Sequence, residues 1–333
     1  MRWTVWRLAS RARIVTISGM TRNVPDVKRG VGNLVQRALI RMEGADAERL
    51  LQGQLSNDVA ALAIGQQQFT SLNSPKGRML ATGFLMRVAP ETWWFDLPQS
   101  LAESANRRLK MFVLRSDVRI EVMEAATAIG VIGIPPADAL PAQLHEVVAP
   151  LLDPQAPITT GHVLTDGRLA MPRPGHPRRV VIWSPDGPPS EGQDLSDAWR
   201  LADIQAGIPN LAPETQDRFI AQHAGVDRLD GISFTKGCFT GQEVIARLHY
   251  LGQAKRFLVR GTSALAPMPG QRVMRADDDG TAGEVIDAVV ISGQGHWLAV
   301  VQGSTFAAGD LHLAPDQPAT SLDYFAPPAV NDS

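Results

Sequence analysis

Cys238 is the chain's only cysteine, and it lies in the octet Lys236, Gly237, Cys238, Phe239, Thr240, Gly241, Gln242, Glu243. A thiolate is both a nucleophile and a metal ligand, and nearby cations and unpaired backbone N–H groups favour it over the thiol. Lys236 supplies the cation. Thr240 followed three residues later by Glu243 reads as a capping box, with Val244, Ile245 and Leu248 as the apolar face of the helix that follows. That reading places Cys238 just upstream of a helix start, where backbone N–H groups lack intrahelical partners. An isolated cysteine is more often a small buried side chain. Two glycines, a cation and a cap within eight residues weigh against that here. Cys238, Lys236 and Glu243 are therefore the candidate catalytic residues.

Composition narrows the setting. Of 333 residues, 44% are hydrophobic and 20% charged, ordinary for a globular chain with room for two or three domains. The formal net charge of -2 provides no global basic field, so no direct nucleic-acid contact is expected. A single cysteine cannot close an intramolecular disulfide, and no secretory signal is evident, so a reducing, cytoplasmic location is expected. The most apolar run, 125–134, is far shorter than the ~20 residues needed to span a bilayer. Residues 1–25 hold five arginines and no acid, and 1–30 read as a disordered leader in which Met20 is a second plausible start.

Periodicity then supplies the elements that would carry the octet. Alternation predicts a strand at 38–42, and runs separated by Pro75, Gly77 and Pro90 read as strands at 69–72, 79–88 and 93–97, with further strands at 118–122 and 129–134. Asp46 offers an N-cap for a helix carrying Ala47, Leu50 and Leu51, which the Ser56, Asn57, Asp58 turn ends. Helical spacing recurs from Leu101 to Val113. Twelve of the 24 prolines fall between Pro135 and Pro189, a seam that must fit a helix near 142–148 and strands near Leu169 and 180–183. A helix from about Leu195 to Gln205 should close on a left-handed Gly207. Short β-branched runs from Phe257 to Leu313 predict a β-barrel, with Gly293, Gln294, Gly295 as a hairpin turn. Seven scattered histidines show no zinc-site spacing, so no metal site is expected.

The octet, extended from Asp230 to Arg247, resembles the signature of the YgfZ family of folate-binding proteins, relatives of the glycine-cleavage T-protein. Gly44 to Asp46, Leu50 to Gln54, Asn57 to Val59, and Lys76, Gly77, Arg78 are similar to further family stretches, and the likeness covers residues 35–325. It implies an α+β fold of two intertwined ferredoxin-like subdomains at 31–252, a β-barrel at 253–325 and a tail at 326–333. It also implies a ring of domains enclosing a tetrahydrofolate channel, with Cys238 near its mouth. The function implied is support of iron-sulfur cluster assembly or repair in client enzymes, including tRNA-modifying ones. Folate and client or assembly proteins are the expected partners, with no membrane. One thiolate cannot hold a four-iron cluster, so Cys238 would be a transient or shared ligand.

Asn57, Asp58, Lys76, Arg78, Asp203, Gln205, Gln242 and Arg247 are the candidate folate-binding residues. Lys76 and Arg78 form a two-cation turn able to grip a carboxylate such as a folate tail. Gln242 and Glu243 would fix the loop, and Arg247 would receive an anion or brace it. Two departures from the T-protein stand out. Its catalytic carboxylate follows the glycine turn, where this chain has Met79, Leu80, Ala81, Thr82, Gly83 and no acid. Its pterin-holding glutamate is replaced by Gln205, and Asp203 is the nearest substitute. A folate-dependent aminomethyl transferase and a non-catalytic protein-binding scaffold are the alternatives.

Overall fold

The computed structural model describes residues 14–15, 27–136, 138–187, 192–252, 255–277, 280–303, 310–314 and 317–325. Three antiparallel sheets organise them. One contains β3 (Arg37–Glu43), β4 (Gln67–Asn73), β5 (Met79–Ala89), β6 (Thr92–Pro98) and β7 (Arg119–Val122), in the order β4-β5-β6-β3-β7. Helix α1 (Ala47–Gln54) follows β3, and α2 (Ala102–Lys110) follows β6. The second sheet, β2-β8-β11-β10-β9, joins β2 (Gly30–Asn33), β8 (Thr127–Ile132), β9 (His162–Val163), β10 (Leu169–Arg173) and β11 (Arg179–Ser184). Its first strand thus precedes the whole of the other sheet in the chain. Helix α3 (Ala142–Leu151) covers it, burying Leu144 and Val148 against Val180 and Ile182.

Helix α4 (Ser196–Ala206) ends on Gly207 at φ 67, the left-handed stop read from the sequence. Helix α5 (Gln242–Leu251) then leads to the third sheet. Its strands are β12 (Arg256–Ser263), β13 (Arg272–Arg275), β14 (Thr281–Ile291), β15 (Gln294–Gln302), β16 (Leu311–Ala314), β17 (Gln317–Pro318) and β18 (Ser321–Phe325). With β1 (Ile14–Val15) at one edge, these eight strands curl as a half-barrel around Val259, Val273, Trp297 and Leu311. Ser292 and Gly293, at φ 50 and 79, make the β14–β15 turn; positive φ at both central residues matches the strands' twist.

Ile14 and Val15 pair with Phe325 and Tyr324. Residues 1–13, 16–26 and 326–333 lie outside the described residues. Two capping expectations are corrected. Asp46 makes no side-chain cap for α1; its carboxylate accepts from the Asp117 amide and Arg49 instead. Thr240 and Glu243 form no capping box, because Gly241 enters α5 at φ 85 and Thr240 donates to Gln54.

A charged network crosses the main apolar core. Arg37 Nε and Nη2 donate to Asp96 Oδ1 at 2.8 and 2.6 Å, and Arg173 pairs with Asp96 Oδ2. Arg37 Nη1 also donates to Asn210, whose amide donates to Asp203 Oδ2 at 2.9 Å, while Arg179 holds Asp203 Oδ1 at 2.7 Å. The sequence reading named only Asp203 among these. Arg173 lies over the Phe84 ring, 3.9 Å from its centroid, and burial lowers its pKa to about 10.

Candidate functional site

The cysteine loop is built onto the exit of α1. Asn57 Nδ2 donates to the Asp230 carbonyl at 2.7 Å, Ser56 Oγ to the Gly231 carbonyl at 2.7 Å, and the Ser233 amide to the Ser56 carbonyl at 3.0 Å. Further along, the Thr240 amide donates to the Gly53 carbonyl at 3.0 Å. Phe239 is buried in the main core and anchors the loop between these ties. Cys238, one residue before it, is exposed.

Lys236 turns inward. Its Nζ donates to the carbonyls of Leu55 at 2.9 Å and Asn57 at 2.7 Å and stands 5.1 Å from the Phe239 ring centroid. Burial lowers its pKa to about 8, opposed in part by the Asp58 charge. The geometry therefore makes Lys236 a latch between loop and α1 exit. The expectation that its ammonium tunes the thiolate gains no contact to rest on, because its hydrogen bonds go to carbonyls.

Asn57 is likewise a structural tie: besides Asp230 it binds the Phe69 carbonyl through Nδ2. Asp58 accepts from Gln52 Nε2 at 2.9 Å. On the other side, the Lys76, Gly77, Arg78 turn packs against the start of α5. Gly77 has φ 68, and a Cβ there would lie 2.9 Å from Val244 Cβ; at Gly241 it would lie 2.6 Å from the Ser74 carbonyl oxygen. Only glycine permits both backbones this approach. Lys76 and Arg78 stay exposed beside the loop, Arg78 donating to the Asp217 carbonyl at 3.3 Å. Glu243 and Arg247 are exposed on α5 and Gln242 is half-buried. Two motifs more than 150 residues apart in the sequence thus meet at Gly241, three residues after Cys238.

Asp203 and Gln205 lie on α4, away from the cysteine loop, and Asp203 lines a cavity there. Both Asp203 oxygens are engaged, by Arg179 and Asn210, so it is an anion of the buried network. Two positions along a helix are about 200° apart, so Gln205 faces away from it. The carbonyl of Gln205 accepts from Arg260 Nη1 at 2.8 Å. In the stretch where the T-protein has its carboxylate, Ala81 and Thr82 are buried on β5, and Thr82 Oγ1 donates to the Pro209 carbonyl at 2.6 Å.

A cavity of about 450 Å3 opens on the Asp203 face of α4. Leu34, Arg37, Trp199 and Leu211 line it, and Asp287 of β14 closes one side. Asp287 is fully buried; Arg200 binds its Oδ1, whereas its Oδ2 and the Ser196 Oγ in the same wall have no hydrogen-bond partner among the described residues. Burial raises the Asp287 pKa against the opposing Arg200 charge. No residue of the cysteine loop lines this cavity, so Cys238 is not at its mouth. Asp287 and Ser196 escaped the sequence reading; an aspartate inside the β-branched run Val285 to Val290 was the available signal.

No family model matches the chain. It is 33% identical over 225 residues to an uncharacterized protein of Haemophilus influenzae, covering 67% of this chain and 70% of that one. It is 30% identical to the tRNA-modifying protein YgfZ of Sodalis glossinidius, over 86% of this chain and 88% of that one, and 29% identical to YgfZ of Yersinia pestis over 81% and 83%. Among solved structures it is similar to the glycine cleavage system aminomethyltransferase T of Bartonella henselae, with a TM-score of 0.60 and 16% identity over 90% of this chain and 86% of that one. That likeness shows the aminomethyltransferase-like fold. On the extent and identity of the match to its relatives, the chain belongs to the YgfZ family.

Proposed function

We propose that this protein binds tetrahydrofolate and supports assembly or repair of iron-sulfur clusters in client enzymes, tRNA-modifying ones among them, with Cys238 as the reacting group. The observation that carries the reading is an exposed thiol on a loop latched by Lys236, Asn57 and Thr240 and flanked by the Lys76–Arg78 turn. A latched backbone holds the sulfur in place while leaving it open to a macromolecule. The cluster is cargo: Cys238 supplies one thiolate to its iron and the partner supplies the others, since four are normally needed.

The cavity beside α4 suits the ring of a folate. Its volume is in the range of small-molecule sites, and Asp287 Oδ2 with Ser196 Oγ offers the acceptors that a pterin's N–H groups require. Tetrahydrofolate, when bound, supplies a reduced pterin able to carry one-carbon units. Asp287 and Ser196 would orient that ring, and Trp199 would exclude water from it. The transferase alternative lacks the carboxylate that would assist an amine, Ala81 and Thr82 standing in its place.

Calorimetric titration with tetrahydrofolate tests the ligand. Asp287→Asn should weaken binding by about tenfold or more, because an amide N–H would face the pterin donors. Unchanged affinity in this variant removes the cavity from the reading. Complementation of a strain lacking its own YgfZ tests the sulfur: Cys238→Ala should fail to restore cluster-dependent tRNA modification, and full rescue would refute the role of Cys238.

A further inference from the structure

We propose that the carboxyl-terminal end of α5, together with Phe234, is the docking surface for the protein partner of Cys238, and that this partner presents an acidic segment with apolar side chains. The inference rests on the function proposed above and names the chemistry of the partner that shares the cysteine.

Phe234 lies four residues before Cys238 in the same loop. It stacks on His249, with centroids 3.7 Å apart and planes at 12°, and Tyr250 meets both rings edge-on at 6.5 and 4.7 Å. Beyond this stack Tyr250 is 64% and Leu251 83% exposed. Adjacent large apolar side chains left in water at the end of a packed helix are what an interface covers, and tyrosine and arginine are enriched among residues that dominate binding. Arg247, Lys255 and Arg256 are exposed nearby in sequence, against a lone Glu243 at the opposite end of α5. Arg247 and Lys255 form no ion pair among the described residues. Charge complementarity therefore selects an acidic occupant.

Two other occupants fit less well. Single-stranded nucleic acid needs a run of open aromatic faces to stack successive bases on, whereas here Phe234 and His249 cover a face of one another, Leu251 has none, and Tyr250 alone is left. The chain's own residues 1–25, with five arginines and no acid, have the wrong sign for this patch.

The test uses the full chain, with p-benzoylphenylalanine replacing Tyr250, in a strain lacking its own YgfZ. Irradiation should yield adducts that map to a segment of another protein rich in Asp and Glu. The double change Arg247→Glu, Lys255→Glu should cut adduct yield by about tenfold. Changing the mapped acids to lysine should restore it. No adduct, adducts to RNA or to a second copy, or a yield insensitive to charge reversal would each overturn the proposal. Urea unfolding of Arg247→Glu, Lys255→Glu should superimpose on the parent, which excludes misfolding as the cause of the loss. Cys238→Ala, made in parallel, should keep the adduct while losing complementation. An adduct retained alongside full rescue would refute the cysteine's role and leave the docking surface standing.

Discussion

Where the two smaller sheets meet, side-chain charges hold the structure together; around Cys238, backbone carbonyls and glycines do. At the seam, three arginines and two aspartates from β3, β6, β10, β11 and α4 pair out of water. At the loop, the buried cation Lys236 has carbonyl partners, and Gly77 and Gly241 meet backbone to backbone. Ion networks of this kind demand fixed geometry and fail severely when one member is lost. A backbone latch leaves the exposed side chains free to vary in type. The comparison teaches that this chain keeps its strongest electrostatics for assembly of the fold and leaves the thiol on a surface whose chemistry is set locally.

Breaking the seam should have the largest effect. Asp96→Ala leaves Arg37 and Arg173 buried without their shared anion and should cost about 3–5 kcal/mol, read from urea unfolding. Within the loop, Gly241→Ala should cost about 3 kcal/mol, because its Cβ would meet the Ser74 carbonyl at 2.6 Å in a left-handed conformation. Gly237→Ala, which meets nothing within 4 Å, should change stability by under about 0.5 kcal/mol. Equal costs for these two glycines would erase the distinction between latch and free surface. A pH-dependent effect concerns Lys236. The unfolded chain keeps this proton up to the ordinary value of 10.5, whereas the folded chain releases it near 8. Stability relative to Lys236→Met should therefore rise with pH across that window and be flat below it. An Nζ titration near 10.5 by NMR would remove the latch from its buried setting.

Much of this was legible in the sequence. Alternation marked β3, runs bounded by proline and glycine marked β4 to β6, β-branched runs marked the half-barrel strands, helical spacing marked α2, and Gly207 marked the end of α4. The capping reading at Thr240 failed because the pattern of Thr and Glu does not reveal that Gly241 is left-handed. The loop's site residues were found by motif, yet the inward turn of Lys236 depends on carbonyls about 180 residues away. Asp96 and Arg173 were invisible for the same reason: each is a charge at the end of an apolar strand until the fold pairs them.

The contact between Gly77 and Gly241 has an evolutionary consequence. With no side chain between the two turns, neither backbone can adjust to a methyl group on the other, so the two positions should tolerate no compensating pair. A combinatorial library at both sites, selected for function, should return glycine twice and little else. Lineages of this family would then carry the two glycines as a single inherited character.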